Sequence, residues 1–299
     1  MRLQHSQLLL CLTNTGVEHI LALEDLGYIC LDHPQVTLSQ PLLQAIGKLN
    51  IALIVCDTTH HPLTLMLPLY HHHLAQKRFN AQITAPMPLK KQLWKEVIKK
   101  KLANQARLLE QRGAEEGSSY LYRLSQEVKS GDTTKREAIG ARYYWACLLG
   151  NQFKRDPRGP EKINAALNYG YAILRSAIAR ALIGSGLLPI VGINHHNQYN
   201  PYPLADDIME PYRPFVDQYI AHFAITPEDH TPLTMDERSY LLGVITYPCI
   251  VQKGKSTLWN AIEETTQSLA SAFENRQVKD LIYTPLPHHS SPHVPLPIN

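Results

Sequence analysis

Cysteine is scarce in this chain: five among 299 residues, with no C-x-x-C pair and no zinc-knuckle spacing. Cys11, Cys30, Cys56, Cys147 and Cys249 therefore read as small buried thiols rather than redox or zinc groups. Charge is also sparse, at 18% of residues, and the net charge of +3 does not by itself argue for a nucleic-acid partner. No apolar run approaches the roughly 18–20 residues of a membrane span; the longest are Leu8–Leu12 and Ile51–Cys56. No basic segment precedes an apolar stretch and a small-residue cleavage site, so a signal peptide is not expected and the default location is the cytoplasm. No ATP-binding motif and no internal repeat is found. What remains is 44% apolar residues over a length that accommodates two domains, the balance of a soluble globular protein.

Residues 1–70 alternate short apolar runs with turn chemistry. Gln7–Leu12 and Val17–Leu23 flank Thr13-Asn14-Thr15-Gly16 as a hairpin, and Tyr28–Asp32, Ile51–Asp57 and Leu63–Leu67 are further strands. One helix fits between them, with Ser39 as N-cap and Leu42, Leu43 and Ile46 at helical spacing. His60-His61 and His71-His72-His73 follow; histidine tracts can bind metal, but with no acid nearby they read as a polar turn and a linker over 71–87.

From Pro88 the period changes. Leu89, Leu93, Val97, Leu102, Ala106 and Leu109 mark one face of an amphipathic helix. Lys90, Lys91, Lys95, Lys99, Lys100, Lys101, Arg107 and Arg112 decorate the rest against Glu96 and Glu110, a local net charge of +6. A solvated helix face and a phosphate-binding track both fit that pattern. A second amphipathic run covers Tyr120–Lys129 after a break at Gly113–Ser118. The next helix opens at Thr133–Glu137, where Thr134 and Glu137 match the S/T-x-x-E capping box, and runs to Gly150. Pro160–Gly184 is a largely buried helix carrying Asn164 and Asn168 on another face. Helices also fit Phe215–Phe223, Met235–Leu242 and Ser256–Phe273. The tail over 285–299 is Pro/His/Ser-rich and expected to be disordered.

The stretch Val191–Pro214 (VGINHHNQYNPYPLADDIMEPYRP) is too polar for core and too heavily punctuated for a passive linker. A helix is expected from Pro203, with Asp206, Asp207 and Glu210 inside one turn and Asp207 and Glu210 sharing a face. Pro211 and Pro214 end or bend it, which fixes where Glu210 points. One imidazole and one carboxylate do not close a metal site, so another ligand must come from elsewhere.

REAIGARYYWACLLG at 136–150, INAALNYGYAILRSAIAR at 163–180 and the H-x14-E spacing with DIMEPYRP in the stretch above, in this order and separation, resemble the CRISPR-associated adaptation integrases, protein "one" of the Cas series, and specifically their type II branch. The similarity runs over roughly residues 1–285. The resemblance implies an α+β protein: a small β-rich dimerisation domain (1–70), a linker (71–87) and a larger all-helical catalytic domain (88–284). It implies that Glu137, His195 and Glu210 are the catalytic metal ligands, with Asp207 supporting them, and that Glu137 is a ligand rather than a cap. His196 has no counterpart and is set aside as a bystander. Two carboxylates and an imidazole without thiolate suit Mg2+ or Mn2+ better than zinc. The implied reaction is attack of a DNA 3′-hydroxyl on a phosphodiester of the CRISPR repeat, with water in its place giving nuclease activity. Being a transesterification, it needs no ATP. The implied partners are short double-stranded DNA fragments, repeat DNA, a second copy, a dimer of the companion adaptation protein (Cas-two) and, in type II systems, the effector nuclease. Lys90, Lys91 and Lys95 then become candidate DNA contacts. Two other readings suit the same residues: a metal-dependent nuclease of branched DNA in repair, and a non-catalytic DNA-binding scaffold whose acids merely cap helices.

Overall fold

The structure is a computed structural model that describes residues 1–13, 15–68, 72–195, 197–220 and 229–287. The α+β organisation is as expected: strands gather at the N-terminal end and helices fill most of the rest. Strands β1 (Arg2–Gln4), β2 (Gln7–Cys11) and β3 (Glu18–Ala22) form an antiparallel sheet in the order β1-β2-β3. A second sheet is centred on β5 (Ala52–Cys56), which pairs in parallel with β4 (Tyr28–Leu31) and antiparallel with β6 (Pro62–Met66). The parallel pair needs a crossover, and α1 (Gln40–Lys48) supplies it. Leu8, Leu23, Ile29, Leu42, Ile46, Ile51 and Leu53 close a small core between sheets and helix.

The stretch 71–87 differs from a plain linker, because it contains α2 (Ala75–Ile83). Gln82 explains this: buried, it hydrogen-bonds the Leu188 and Val191 carbonyls and the Leu188 N–H, so the segment is tied down to the loop ahead of His195. His72 accepts from the Leu74 N–H at 3.1 Å and faces Arg78 at 3.1 Å, a local structural use of one tract histidine. His71 and His196 lie outside the described residues.

Helix α3 (Met87–Gln111) is the axis of the larger region, and its predicted apolar face, Leu89 to Leu109, is buried throughout. Around it stand α4 (Glu115–Gln126), α5 (Arg136–Leu149), α6 (Lys162–Gly184), α7 (Pro203–Met209), α8 (Arg213–Ile220) and α9 (Met235–Leu242). Next come β7 (Pro248–Val251), β8 (Gly254–Thr257) and α10 (Leu258–Asn275). The β7–β8 hairpin departs from the all-helical expectation; Ser256, placed in a helix by periodicity, belongs to it. Helix α4 starts five residues before the expected Tyr120, because Gly117 and Ser118 are packed helical residues rather than breakers.

Two further expectations need correction. The tail is anchored where it begins: Leu286 is buried, its N–H bonds Asn104 at 2.9 Å, and the Pro287 carbonyl accepts from Gln111. Residues 288–299 lie outside the described residues. Of the five thiols only Cys249 is fully buried; Cys11 is exposed, and Cys30 and Cys56 face each other half-buried at 3.6 Å.

Candidate functional site

Lys101 sits on the inner side of α3, in line with Leu93, Val97, Gln105 and Leu108, all of them buried. That line steps by four, four, four and three, so the residue belongs to the core face and not to the basic face. Its ammonium lies 2.7 Å from Glu137 Oε1 and 2.6 Å from Glu210 Oε2. Burial works against the charge on Lys101, but Glu210 and Glu137 outweigh it and hold the amine above its ordinary pKa.

Glu137 reaches this point from the first turn of α5, and the capping box expected for it does not form. Thr134 Oγ1 is buried with no partner, and Lys135 precedes the helix in a left-handed conformation, φ 52°. Asp132 caps instead: its carboxylate accepts the N–H of Arg136 at 2.8 Å and of Glu137 at 3.1 Å. The Glu137 side chain is thereby free to turn to Lys101. Gly140, one turn on, permits the close approach of α5 to α3, since a Cβ there would meet Leu102 at 2.3 Å.

His195 is held by Asp207. The fully buried Asp207 carboxylate accepts the N–H groups of Ile193 (2.5 Å), Asn194 (3.0 Å) and His195 (3.1 Å), and its Oδ1 lies 2.7 Å from His195 Nδ1. Hydrogen bonding to Asp207 raises the imidazole pKa against the opposing effect of burial. With Nδ1 committed, Nε2 is the ring atom left for another partner, the arrangement in which a metal-ligating histidine is usually fixed. Trp94 of α3 meets the ring edge-on at 5.7 Å. The neighbouring Asp206 is taken up structurally, by Arg175 and Asn200 at 2.6 Å each.

Glu210 follows α7 in a tight 3-10 turn over Glu210–Tyr212 made by Pro211, and α8 then restarts with Pro214 in its first turn. The two prolines therefore re-aim the chain without ending it. Glu210 is buried; Arg213 Nε lies 2.9 Å from its Oε1. Burial pushes the carboxyl up, yet Arg213 and Lys101 together hold it below the usual carboxylate range. Arg213 stacks over Tyr171 at 4.6 Å. Behind it the buried Asp217 accepts hydrogen bonds from Tyr144 and Tyr171.

The fold thus brings Glu137 and Glu210 onto one buried cation and places His195 beside the same face of α3. Trp94, which touches His195, and Lys101, which touches the carboxylates, are seven residues apart, about 10 Å along the helix axis. Among the described residues no three His, Cys, Asp or Glu side chains converge as a formed metal centre. The donor types nevertheless fit a hard divalent cation: two carboxylates, one oriented imidazole and no thiolate. Glu210 Oε2 adds a specific observation. It is buried and, despite the near Lys101 ammonium, has no donor aligned with it for a hydrogen bond.

Lys90 and Lys95 are half-exposed and Lys91 exposed, and among the described residues none of the three meets a carboxylate. Lys101, counted from sequence among the surface charges, is the residue that pattern misplaced. Asn164 and Asn168 grip Arg155 through their carbonyls, so they are structural.

Residues 2–231 match the family described as CRISPR associated protein Cas1. The chain is 33% identical over 279 residues to the CRISPR-associated endonuclease Cas1 of Neisseria meningitidis serogroup C (strain 8013), covering 93% of this chain and 90% of that one. Among solved structures it is similar to a casposase bound to integration product (TM-score 0.72, 20% identity, 92% of this chain and 88% of that chain). It is also similar to a Cas1 protein from Thermotoga maritima (TM-score 0.64, 14% identity, 91% and 93%). A further likeness, to a Cas6-RT-Cas1–Cas2 complex, has a TM-score of 0.71 and 22% identity over 93% of this chain and 34% of that much longer one. The match over more than three-quarters of the length, together with the near full-length relative, shows that this chain belongs to the Cas1 family of CRISPR-associated proteins.

Proposed function

We propose that this chain is the integrase of CRISPR adaptation, of the type II branch, joining short foreign DNA fragments into the repeat array. The observation that carries the reading is the convergence of Glu137 and Glu210, 73 residues apart in sequence, on one buried cationic point, with His195 held alongside by Asp207. A helix-capping scaffold has no need to turn two acids inward, and Glu137 is not engaged as a cap.

Glu137, Glu210 and the Nε2 of His195 would hold Mg2+ or Mn2+, which when bound supplies Lewis-acid polarisation of the scissile phosphate. The chain's own residues do the rest. Asp207 fixes the imidazole orientation, and Arg213 keeps the Glu210 carboxylate ionised. Trp94 shields one edge of the histidine ring. A DNA 3′-hydroxyl attacking a repeat phosphodiester forms one phosphoester bond as another breaks, and water in its place gives hydrolysis. Lys90, Lys91 and Lys95 would contact the phosphate backbone. The exposed apolar side chains Ile20 and Leu21 of the first sheet, with Val17 just ahead of β3, support pairing with a second copy. The companion protein Cas2, present in a solved complex of similar fold, is a proposed partner, as is the type II effector nuclease, all within the cytoplasm.

Strand transfer of a short duplex into repeat DNA, with and without the companion protein, in Mg2+ and in Mn2+, tests the proposal. Glu137→Ala, His195→Ala and Glu210→Ala are expected to abolish joining while DNA binding stays near wild type. Wild-type joining by the Glu210→Ala protein sinks the assignment. Cleavage of branched DNA without any joining would favour a repair nuclease, and binding without either a scaffold.

A further inference from the structure

Lys101 has no assigned role, yet it is the point where three elements meet: α3 carries it, α5 brings Glu137 to it, and the turn after α7 brings Glu210. The residue is 7% exposed. A lysine placed there only to solvate a helix face would extend outward; this one points in. Without it the half-exposed Glu137 carboxylate would face the buried carboxylate of Glu210 with no charge between them, and like charges at such range repel where screening is poorer than in water. Arg213 relieves this only in part, since it sits on the far oxygen of Glu210 and does not reach Glu137.

An ammonium between two carboxylates has the charge sign and the ligand atoms of a bound metal ion, but a different geometry. Its three N–H bonds are directional, and Glu210 Oε2, 2.6 Å away, is left without an aligned donor. The ammonium stands in the space between the two carboxylates that a cation held by both would take, and two positive charges cannot share it without strong repulsion. We propose that Lys101 is a positioning residue of this site: it holds Glu137 and Glu210 in register before a divalent cation arrives, and it must be displaced from between them for that cation to bind. The inference rests on the metal-site reading above and adds a residue that competes with the ligand instead of coordinating it.

The full-length wild type, Lys101→Met and Lys101→Arg proteins are titrated with Mn2+ by calorimetry, and melting is followed with and without Mn2+. Lys101→Met is expected to melt lower than wild type in the absence of cation. It should bind Mn2+ about tenfold more tightly, because the competing charge is gone, and gain more on Mn2+ addition. Lys101→Arg, which keeps the charge, should stay near wild type in affinity. A purely structural lysine would lower the melting temperature without tightening Mn2+ binding, so equal or weaker binding by Lys101→Met overturns the proposal. Glu210→Gln separates the two levels. If it leaves Mn2+ binding by the wild type unchanged, the metal-site reading fails; if it weakens binding and Lys101→Met does not tighten it, only the role of Lys101 fails. Should Lys101→Met not fold, Lys101→Gln is titrated with Mn2+ in its place; binding tighter than wild type supports the proposal, and equal or weaker binding rejects it.

Discussion

One carboxylate, that of Asp207, holds both the ring and the backbone of His195: Nδ1 at 2.7 Å and the residue's own N–H at 3.1 Å, both on Oδ1. The other oxygen takes the two preceding backbone N–H groups. A single buried side chain within α7 thereby sets the path of an irregular loop and the angle of the imidazole it carries. Fixing an imidazole through its second nitrogen leaves one ring atom available and one orientation populated.

Asp207→Ala strands three backbone N–H groups, that of Ile193 buried and those of Asn194 and His195 part-buried. A buried unsatisfied donor costs about 1–3 kcal/mol and water replaces part of the rest, so a loss of about 1–3 kcal/mol is expected in urea denaturation. Strand transfer should fall further than for a remote variant of equal stability, by about 10–100-fold at least. Wild-type stability for Asp207→Ala would remove the argument that this carboxylate shapes the loop.

Gly192 is the second requirement of the same loop. A Cβ there would lie 2.5 Å from the His195 carbonyl oxygen and 3.1 Å from Asp207 Oδ2. Both are fixed, so the backbone must move. Gly192→Ala should cost about 1–3 kcal/mol, the range for overpacking, and should impair strand transfer through His195. Gly113→Ala, at a helix end with open space around it, provides the comparison, because it strains φ alone.

Much of this was legible in the sequence. The change of period near residue 88 marked α3, while His195 and Glu210 were named through the family resemblance of the stretch that carries them. Lys101 was not, because a lysine within a basic run is assigned to solvent by composition. The clue lay in its place four residues after Val97 and four before Gln105, on the buried line. The cap of α5 was misread for a related reason: Thr134 and Glu137 satisfy the capping box on paper, but the left-handed Lys135 lets Asp132 reach the helix N–H groups first. Backbone conformation at one residue decided between two polar candidates, and spacing carries no record of it. Nor does spacing show that α2 is held down through Gln82, a tie of 106 residues to Leu188.

Replacing Lys90, Lys91 and Lys95 together by glutamate leaves the α3 core face untouched, since none is buried. Binding to duplex fragments of any sequence should weaken. If each lysine neutralises one phosphate, the slope of log affinity against log salt should flatten by about 3. Filter binding between low and moderate salt measures both quantities. Unchanged affinity and slope would return these residues to a solvated face, while the inward Lys101 would be unaffected by that result.

The buried Asp217 gives the protein a pH dependence of unusual sign. Burial pushes its carboxyl from 3.8 up to about 6, against the opposing pull of the Tyr171 and Tyr144 hydroxyls and of Arg213. A raised carboxyl pKa means that the folded state binds the extra proton, so the stability Asp217 contributes is present in full below pH 3.8 and declines as pH rises to about 6. At about 1.4 kcal/mol per pH unit, that decline amounts to about 3 kcal/mol. Asp217→Asn cannot titrate. The stability of wild type minus that of the variant should therefore fall by about 2.4 kcal/mol from pH 4 to pH 7 in urea denaturation, whatever the offset from altered hydrogen bonding. Ordinary carboxylates, whose pKa falls on folding, would make that difference rise. A flat or rising difference would mean that Asp217 is ionised like a surface acid. Arg213 would then be shared between two full negative charges, Asp217 behind it and Glu210 in front, and its hold on Glu210 would be correspondingly weaker.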